Sequence, residues 1–312
     1  MTRLNKCFLL PIDGTTESLK PVEFLKKLYS SLTHLRIIVC YFLPPLPPIY
    51  REKADSPAMA KKRIEVLGKR ERETRSVIDQ ARALLLKAGL PEDAFAEHIQ
   101  EKASSLPKDI CMVAGFKKAD ALVMQKQTQI TLESLFRDDP THALLQHCAA
   151  CPVWLIEGNA HTSRAAICIL NEDTSLRAVD HAGFMLAETS TEILLLHATR
   201  GITKPVTVPA SRAEQDAADW LETEEGRILK PYLVQARQIL EKEGIAPERV
   251  HMELIPSRGN VALEIIQHCR KKNIGIVVIG HSNPTGKWSF LKSSITKKAL
   301  AEFTDMAVWV SQ

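Results

Sequence analysis

Long hydrophobic runs are missing from this 312-residue sequence, and no segment approaches the roughly 18 consecutive apolar residues that span a bilayer. Aromatic residues make up only 5% of the chain, and the net charge is only +4, with both signs interspersed and no long basic block. We therefore expect neither a membrane nor a nucleic acid as partner. The N-terminal apolar run, CFLLPIDG, is too short for a secretory signal, which predicts a cytoplasmic protein.

The sequence also lacks an even set of cysteines. It has seven, and most lie inside apolar runs, where reduced cysteine behaves as a small hydrophobic residue. We expect a reducing compartment. The C-x-x-C in HCAACPVW (147–154) follows a helical pattern and precedes a strand, the reverse of a thioredoxin-like site, and no second ligand pair at suitable spacing suggests zinc. We interpret this motif as structural.

What the chain does contain is an internal repeat with an offset of about 155 residues. Long helical patterns occupy residues around 62–89 and 226–244, and both end on glycine followed by proline, as helix C-termini do. Apolar strand patterns recur in the same order in the first half (7–14, 35–45, 119–125, 152–157) and in the second (165–173, 191–200, 274–280, 306–311), and each half has a further short strand after its long helix.

Strands that alternate with helices and read as continuous Val, Ile and Leu runs are typical of a parallel sheet buried on both faces. We predict two tandem doubly wound, five-stranded, Rossmann-like α/β domains, at 1–157 and 165–312. The closing strands PVWLIE and MAVWVS are the expected pairing edges. Such pairing predicts an internal pseudo-dimer, and the same edges offer a route to a homodimer.

The stretch VVIGHSNPTGKWSFLKSS (277–294) places a glycine-rich loop between a buried strand and a helix. Together with Asp13 and Gly14 after the first strand, the repeat itself and the CPVW ending of the first half, it resembles the tandem universal stress proteins of the UspA superfamily. The end of the first half is most similar to their E-type tandem members. The resemblance covers nearly the whole chain and implies an adenine nucleotide alpha hydrolase-like fold.

The nucleotide-binding members of that family carry G-x-x-G, nine residues and then G-S or G-T after the fourth strand. Glycine lets backbone N–H groups approach phosphate, and the N-terminus of the following helix favours anions. Here Gly280 takes the first position, whereas Asn283 and Ser293 stand where glycines are expected, and Asn171 replaces the expected first-strand aspartate. The nucleotide-binding residues implied by the resemblance are Asn171, Ala198, Gly280, His281, Asn283, Gly286, Ser293 and Ser294.

The first half keeps Asp13 but has no glycine in its loop, 125–140. Two carboxylates, Asp138 and Asp139, fall where the family has G-S, and Pro140 lacks a donor N–H. We therefore expect this half not to bind nucleotide and to be structural or regulatory.

No enzyme motif is evident in the sequence. The 280–288 segment has neither the spacing nor the Mg²⁺-ligating hydroxyl of a Walker A loop, and no nucleophile–base pair or metal cluster is indicated. The resemblance implies a non-enzymatic stress-response protein whose second half binds ATP, with Mg²⁺, or another adenine nucleotide. Three alternatives stay open: an interaction scaffold without nucleotide, a weak ATPase, and an apolar small molecule in either crevice.

Overall fold

The computed structural model describes residues 6–51, 56–126, 148, 151–170, 172–281 and 299–311. Its longer helices are α1 (Lys20–Leu28), α2 (Pro57–Lys87), α3 (Leu106–Phe116), α4 (Asp173–Leu186), α5 (Glu224–Lys242) and α6 (Val261–Lys271). The strands are β1 (Lys6–Ile12), β2 (Leu35–Leu43), β3 (Phe95–Glu101), β4 (Ala121–Gln125), β5 (Val153–Ile156), β6 (Arg164–Cys168), β7 (Glu192–Thr199), β8 (Val206–Pro209), β9 (Val250–Pro256), β10 (Ile276–Gly280) and β11 (Ala307–Ser311).

The chain forms two compact units, the first of which comprises residues Met1–Glu23 and Ser31–Cys148. Its strands pair in the order β3-β2-β1-β4, and all of these pairs are parallel. Every residue of β1 and of β4 is buried, as expected for a parallel sheet covered on both faces. Helix α2 ends at Lys87, and Gly89 follows with a φ of +100°, a left-handed conformation that glycine adopts without strain.

The second unit comprises Phe24–Ser30 and Ala149–Gln312. Its strand order is β5-β11-β10-β6-β7-β9-β8, in which β11-β10-β6-β7-β9 are parallel neighbours. The two repeats thus have the doubly wound α/β fold that the alternation of strands and helices predicted. Helix α5 ends at Lys242, and Gly244 follows with a φ of +83°, so both long helices end in the same way.

Two antiparallel strands complete the second sheet. Strand β5, which closes the first repeat in sequence, pairs with β11, so that Trp154 lies opposite Trp309. These are the two strands whose pairing the sequence predicts. Strand β8 pairs with the outer edge of β9, in a segment to which the sequence analysis assigns no strand. A four-residue strand with a proline at its end is too short to give a clear period-2 pattern.

Two cysteines of the first unit are not reduced, in contrast to what a reducing compartment favours. Cys111 in α3 and Cys148 form a disulfide with a Cα–Cα distance of 4.9 Å, well inside the range that a disulfide spans. Residues that are 37 positions apart in sequence are thereby joined, which spacing alone could not indicate. Burial raises the pKa of the Cys168 thiol to about 12, so this side chain is an inert hydrophobic residue.

Within the described ranges, no helix combines the length and the apolar character that crossing a membrane requires.

Candidate functional site

A crevice of about 460 Å³ opens in the second unit at the carboxyl ends of β6 and β7. Ligands of doubly wound sheets bind at this edge, and the volume suits a small molecule. Its walls come from the loop after β6, the end of β7 and the first turns of α5. The lining residues are Leu170, His197, Gly201, Thr223, Glu224, Glu225, Ile228 and Leu229.

Helix α5 begins at this crevice because its N-terminus is well capped. The side-chain oxygen of Thr223 accepts a hydrogen bond from the N–H of Gly226, and Glu224 and Glu225 occupy the first turn, where carboxylates are stabilised by the helix dipole. Gly226 is required for close packing, since a Cβ there would lie 2.1 Å from the carbonyl oxygen of Trp220. The cap fixes the position at which the Glu225 side chain leaves the helix.

The Glu225 carboxylate is held by polar side chains at the end of β7. Its Oε1 lies 3.2 Å from Nε2 of His197, and its Oε2 accepts a hydrogen bond from the Thr199 hydroxyl. The indole N–H of Trp220 donates to the same hydroxyl oxygen over 3.2 Å. The result is a chain of polar contacts from Trp220 through Thr199 and Glu225 to His197.

The second ring nitrogen of His197 fixes where its proton lies. Nδ1 is 2.9 Å from the carbonyl oxygen of Ile169, which can only accept, so Nδ1 carries a proton. The contact between Nε2 and Glu225 is then a hydrogen bond only if one more proton lies between these two atoms. Because the His197 side chain is only 9% exposed and that of Glu225 is 46% exposed, the carboxylate is the part of the pair that faces the crevice.

Of the site residues predicted from sequence, Ala198, Gly280 and His281 are described. Asn171, Asn283, Gly286, Ser293 and Ser294 lie outside the described residues, so their assignment stays a prediction. Successive side chains of a strand point to opposite faces, so Ala198 faces away from the side on which His197 lines the crevice.

Gly280 and His281 lie at the end of β10. A Cβ on Gly280 would lie 2.3 Å from the carbonyl oxygen of Thr174 and 2.9 Å from the nitrogen of Ser175, in the first turn of α4. The buried His281 donates its backbone N–H to the carbonyl oxygen of Ser311 over 2.6 Å. Glycine at 280 is therefore required by helix packing, whatever the loop that follows it binds.

The equivalence of the two repeats corrects the prediction that Asn171 stands at the position of the first-strand aspartate. The N–H of Asp13 donates to the Ser18 hydroxyl over 3.3 Å, and the N–H of Leu170 donates to the Ser175 hydroxyl over 2.8 Å. The residue at the Asp13 position is therefore Leu170, not Asn171, which follows it. An apolar side chain thus lines the second crevice where the first repeat has a carboxylate.

The first unit has a crevice of about 390 Å³ between the ends of β2 and β3 and helix α2. Arg70 closes one side, because it donates to the carbonyl oxygen of Pro44 over 2.7 Å and pairs with Glu101 at 2.9 Å. After the end of β1, Oδ1 of Asp13 accepts from the N–H of Thr15, whereas its buried Oδ2 has no partner among the described residues. The glycine-free loop that argued against nucleotide here lies mostly outside the described residues.

Sequence reasoning missed Glu225, Thr199 and Trp220. Glu225 is 28 residues from His197, and nothing in the local pattern of an exposed helix start distinguishes it from a solvated glutamate. In the described part of the chain, no group of three or more His, Cys, Asp or Glu side chains is arranged to hold a metal ion.

Comparison with known proteins gives matches to both repeats. Residues 5–157 and 163–307 match the model of the Universal stress protein family. A universal stress protein from Archaeoglobus fulgidus DSM 4304 has a similar structure, with 14% identity, a TM-score of 0.60, and coverage of 99% of this chain and 96% of that chain. A putative universal stress protein from Pseudomonas aeruginosa UCBPP-PA14 has 16% identity, a TM-score of 0.51, and coverage of 99% and 94%.

A universal stress protein in complex with cAMP matches over 47% of this chain and 93% of that chain, with 15% identity and a TM-score of 0.31. No curated protein matches the chain significantly. At these identities the two full-length likenesses show the fold.

Proposed function

The chain belongs to the universal stress protein family, with two tandem copies of the family's domain, and from this premise we propose that it is a non-enzymatic cytoplasmic stress-response protein whose second repeat binds an adenine nucleotide as a regulatory ligand. The observation that carries the proposal is the crevice of about 460 Å³ at the carboxyl ends of β6 and β7. It combines apolar walls with a few fixed polar groups, the usual composition of a small-molecule site.

In the proposed complex, the base and ribose occupy the crevice beside Leu170 and His197. The phosphates lie toward the loop after Gly280, where His281, Asn283, Gly286, Ser293 and Ser294 supply backbone and hydroxyl donors. Backbone N–H groups and the start of a helix favour anions in such loops. ATP with Mg²⁺ is the first ligand to test. cAMP is included because a universal stress protein of known structure contains it.

The first experiment is native mass spectrometry of the purified chain, before and after addition of millimolar Mg-ATP or cAMP, followed by denaturation and identification of any released molecule. We expect one adenine nucleotide per chain. Ser293→Asp is expected to weaken nucleotide binding at least tenfold, because a carboxylate beside the phosphates repels them, a loss of about 1.4 kcal/mol. The matched control is Ser211→Asp at an exposed position outside the crevice, which should leave the affinity unchanged.

A chain that carries no nucleotide and takes up neither ligand would overturn the proposal in favour of an interaction scaffold. Phosphate release above a buffer blank, lost in Ser293→Asp but kept in Ser211→Asp, would instead support the weak ATPase. A released apolar molecule would identify a different class of ligand for the same crevice. The substitution Gly280→Asp cannot serve here, since it would disturb the packing of α4 whether or not a ligand binds.

A further inference from the structure

The two crevices differ in hydrogen-bonding character at one equivalent position. Helices α2 and α5 end at Lys87 and Lys242, and each is followed two residues later by a glycine with positive φ. Counting back equally from these ends places Arg70 and Glu225 at the same position of the repeat. In each unit this side chain extends to the end of the repeat's second strand, Pro44 following β2 and Thr199 ending β7.

The chemistry at the two positions is opposite. Arg70 can only donate hydrogen bonds, and its Nη2 group already meets a carbonyl oxygen and the carboxylate of Glu101. Its side chain is only 19% exposed. Glu225 accepts, and its side chain is 46% exposed in a crevice large enough for a ligand. The second repeat therefore presents an acceptor where the first presents a donor that is already paired.

The Glu225 carboxylate has acceptor capacity beyond its protein contacts. Two oxygens offer about four lone-pair sites. His197 meets one oxygen and Thr199 the other, so each oxygen keeps one site for a further donor. Both contacts also hold the carboxylate in one orientation, which reduces the entropy lost when it binds a ligand.

From this geometry we propose that Glu225 is the specificity-determining residue of the crevice, accepting a hydrogen bond from a donor group at the uncharged end of a nucleoside-type ligand. This inference rests on the proposed nucleotide function. Two groups have the required chemistry, the exocyclic amine of the base and the ribose hydroxyls. A base with a carbonyl oxygen in place of the amine would put two acceptors face to face, which is unfavourable.

The same feature orients the ligand. Glu224 and Glu225 both lie at this end of the crevice, so phosphate is disfavoured there by the neighbouring carboxylates. The phosphates then point away from the first turn of α5. Base or ribose at Glu225 thus follows from these charges, whereas the place of the phosphates near Gly280 follows from the proposed function.

The test is isothermal titration of the full chain with Mg-ATP, Mg-ITP and the magnesium complex of 2′,3′-dideoxy-ATP. ITP replaces the amine by a carbonyl oxygen, and the dideoxy analogue lacks both ribose hydroxyls. For the unchanged protein we expect at least tenfold weaker binding of one analogue, as is usual when a hydrogen bond to a charged group is lost. The analogue that loses affinity identifies the donor group.

Glu225→Gln keeps the shape of the side chain and removes its charge and one acceptor oxygen. We expect it to bind ATP about tenfold more weakly and to lose most of the discrimination between ATP and the affected analogue. The matched control is Glu222→Gln, since the Glu222 side chain is 70% exposed and does not line the crevice. It should keep both affinity and discrimination. Glu225→Asp, which withdraws the carboxylate by one methylene, is the second variant if Glu225→Gln unfolds.

The outcomes separate the two proposals. If the unchanged protein binds none of the three nucleotides, the nucleotide function fails and the role of Glu225 falls with it. If ATP binds but all three ligands have equal affinity, or if both Glu225 variants discriminate as the unchanged protein does, only the role of Glu225 is overturned.

Discussion

Gly280→Ala is expected to lower the free energy of unfolding by about 3 kcal/mol, at the upper end of what overpacking usually costs. The added Cβ would lie 2.3 Å from the carbonyl oxygen and 2.5 Å from the carbonyl carbon of Thr174, distances that real Cβ contacts do not show. Because these are backbone atoms at the start of α4, no side-chain rotation relieves the clash. Either α4 or the end of β10 must move.

Urea denaturation at pH 7.5 measures the effect, with Gly115→Ala as the matched control. Gly115 lies in α3, and a Cβ there meets no atom within 4 Å. Because alanine is the better helix former, this variant should be more stable by about 0.5 kcal/mol. Equal stability of Gly280→Ala and the unchanged protein would mean that α4 does not pack against β10 at this distance.

Gly280 also shows where reasoning from sequence reaches its limit. The glycine pattern of 277–294 points to phosphate binding, and the structure supplies a second reason for the first glycine, namely close packing of a helix on a strand end. Both reasons select glycine, so a one-dimensional pattern cannot separate them. A substitution at this position therefore tests packing first and ligand binding second.

The strand and helix order of both repeats could be predicted because buried parallel strands are long apolar runs and because each long helix ends on a glycine signal. The one-residue shift between Asn171 and Leu170 has a different origin. The sequence around the first strand of the second repeat, ILNEDTS, offers an amide near the expected acid, whereas the serine hydrogen bonds align Leu170 with Asp13. Backbone register is a property of the sheet and not of the local residue types.

Glu225 could not be found from sequence for a third reason. Its importance depends on three elements meeting: the end of β7, the short helix Ala218–Leu221 that carries Trp220, and the start of α5. Each residue alone resembles an ordinary surface or core residue. Only the fold brings a half-exposed carboxylate against a buried histidine at the edge of a crevice.

The second unit contains an aromatic cluster to which both repeats contribute equivalent positions, and at one of these positions the residues differ. Trp154 and Trp309 stack with their ring centroids 3.6 Å apart. The indole N–H of Trp154 donates to Nε2 of His181 over 2.9 Å, whereas the buried indole N–H of Trp309 has no acceptor among the described residues. Phe24 occupies the position in the first repeat that His181 occupies in the second, which explains why only one tryptophan finds an acceptor.

His181 is expected to make the stability of the protein depend on pH. Burial lowers the pKa of His181 to about 3, against about 6.5 in an unfolded chain, so the folded protein keeps the ring neutral. Between these values the unfolded chain binds a proton that the folded protein does not. The contribution of His181 is therefore fully present above pH 6.5, and it is lost as the pH falls toward 3, by up to about 1.4 kcal/mol per pH unit.

Urea denaturation at pH 7.5, 6.5 and 5.5 tests this pH dependence by comparing the free energy of unfolding of the unchanged protein with that of His181→Phe. The variant carries at position 181 the residue that the first repeat has there. At pH 7.5 the variant should be less stable by about 1–3 kcal/mol, because the indole N–H of Trp154 loses its acceptor. Between pH 6.5 and 5.5 its stability should fall by about 1 kcal/mol less than that of the unchanged protein, since no buried imidazole remains to be protonated on unfolding. His161→Gln, at an exposed histidine, should leave the slope unchanged. Parallel slopes for the unchanged protein and His181→Phe would show that the ring is protonated in the folded state, which a hydrogen bond from Trp154 to Nε2 does not allow.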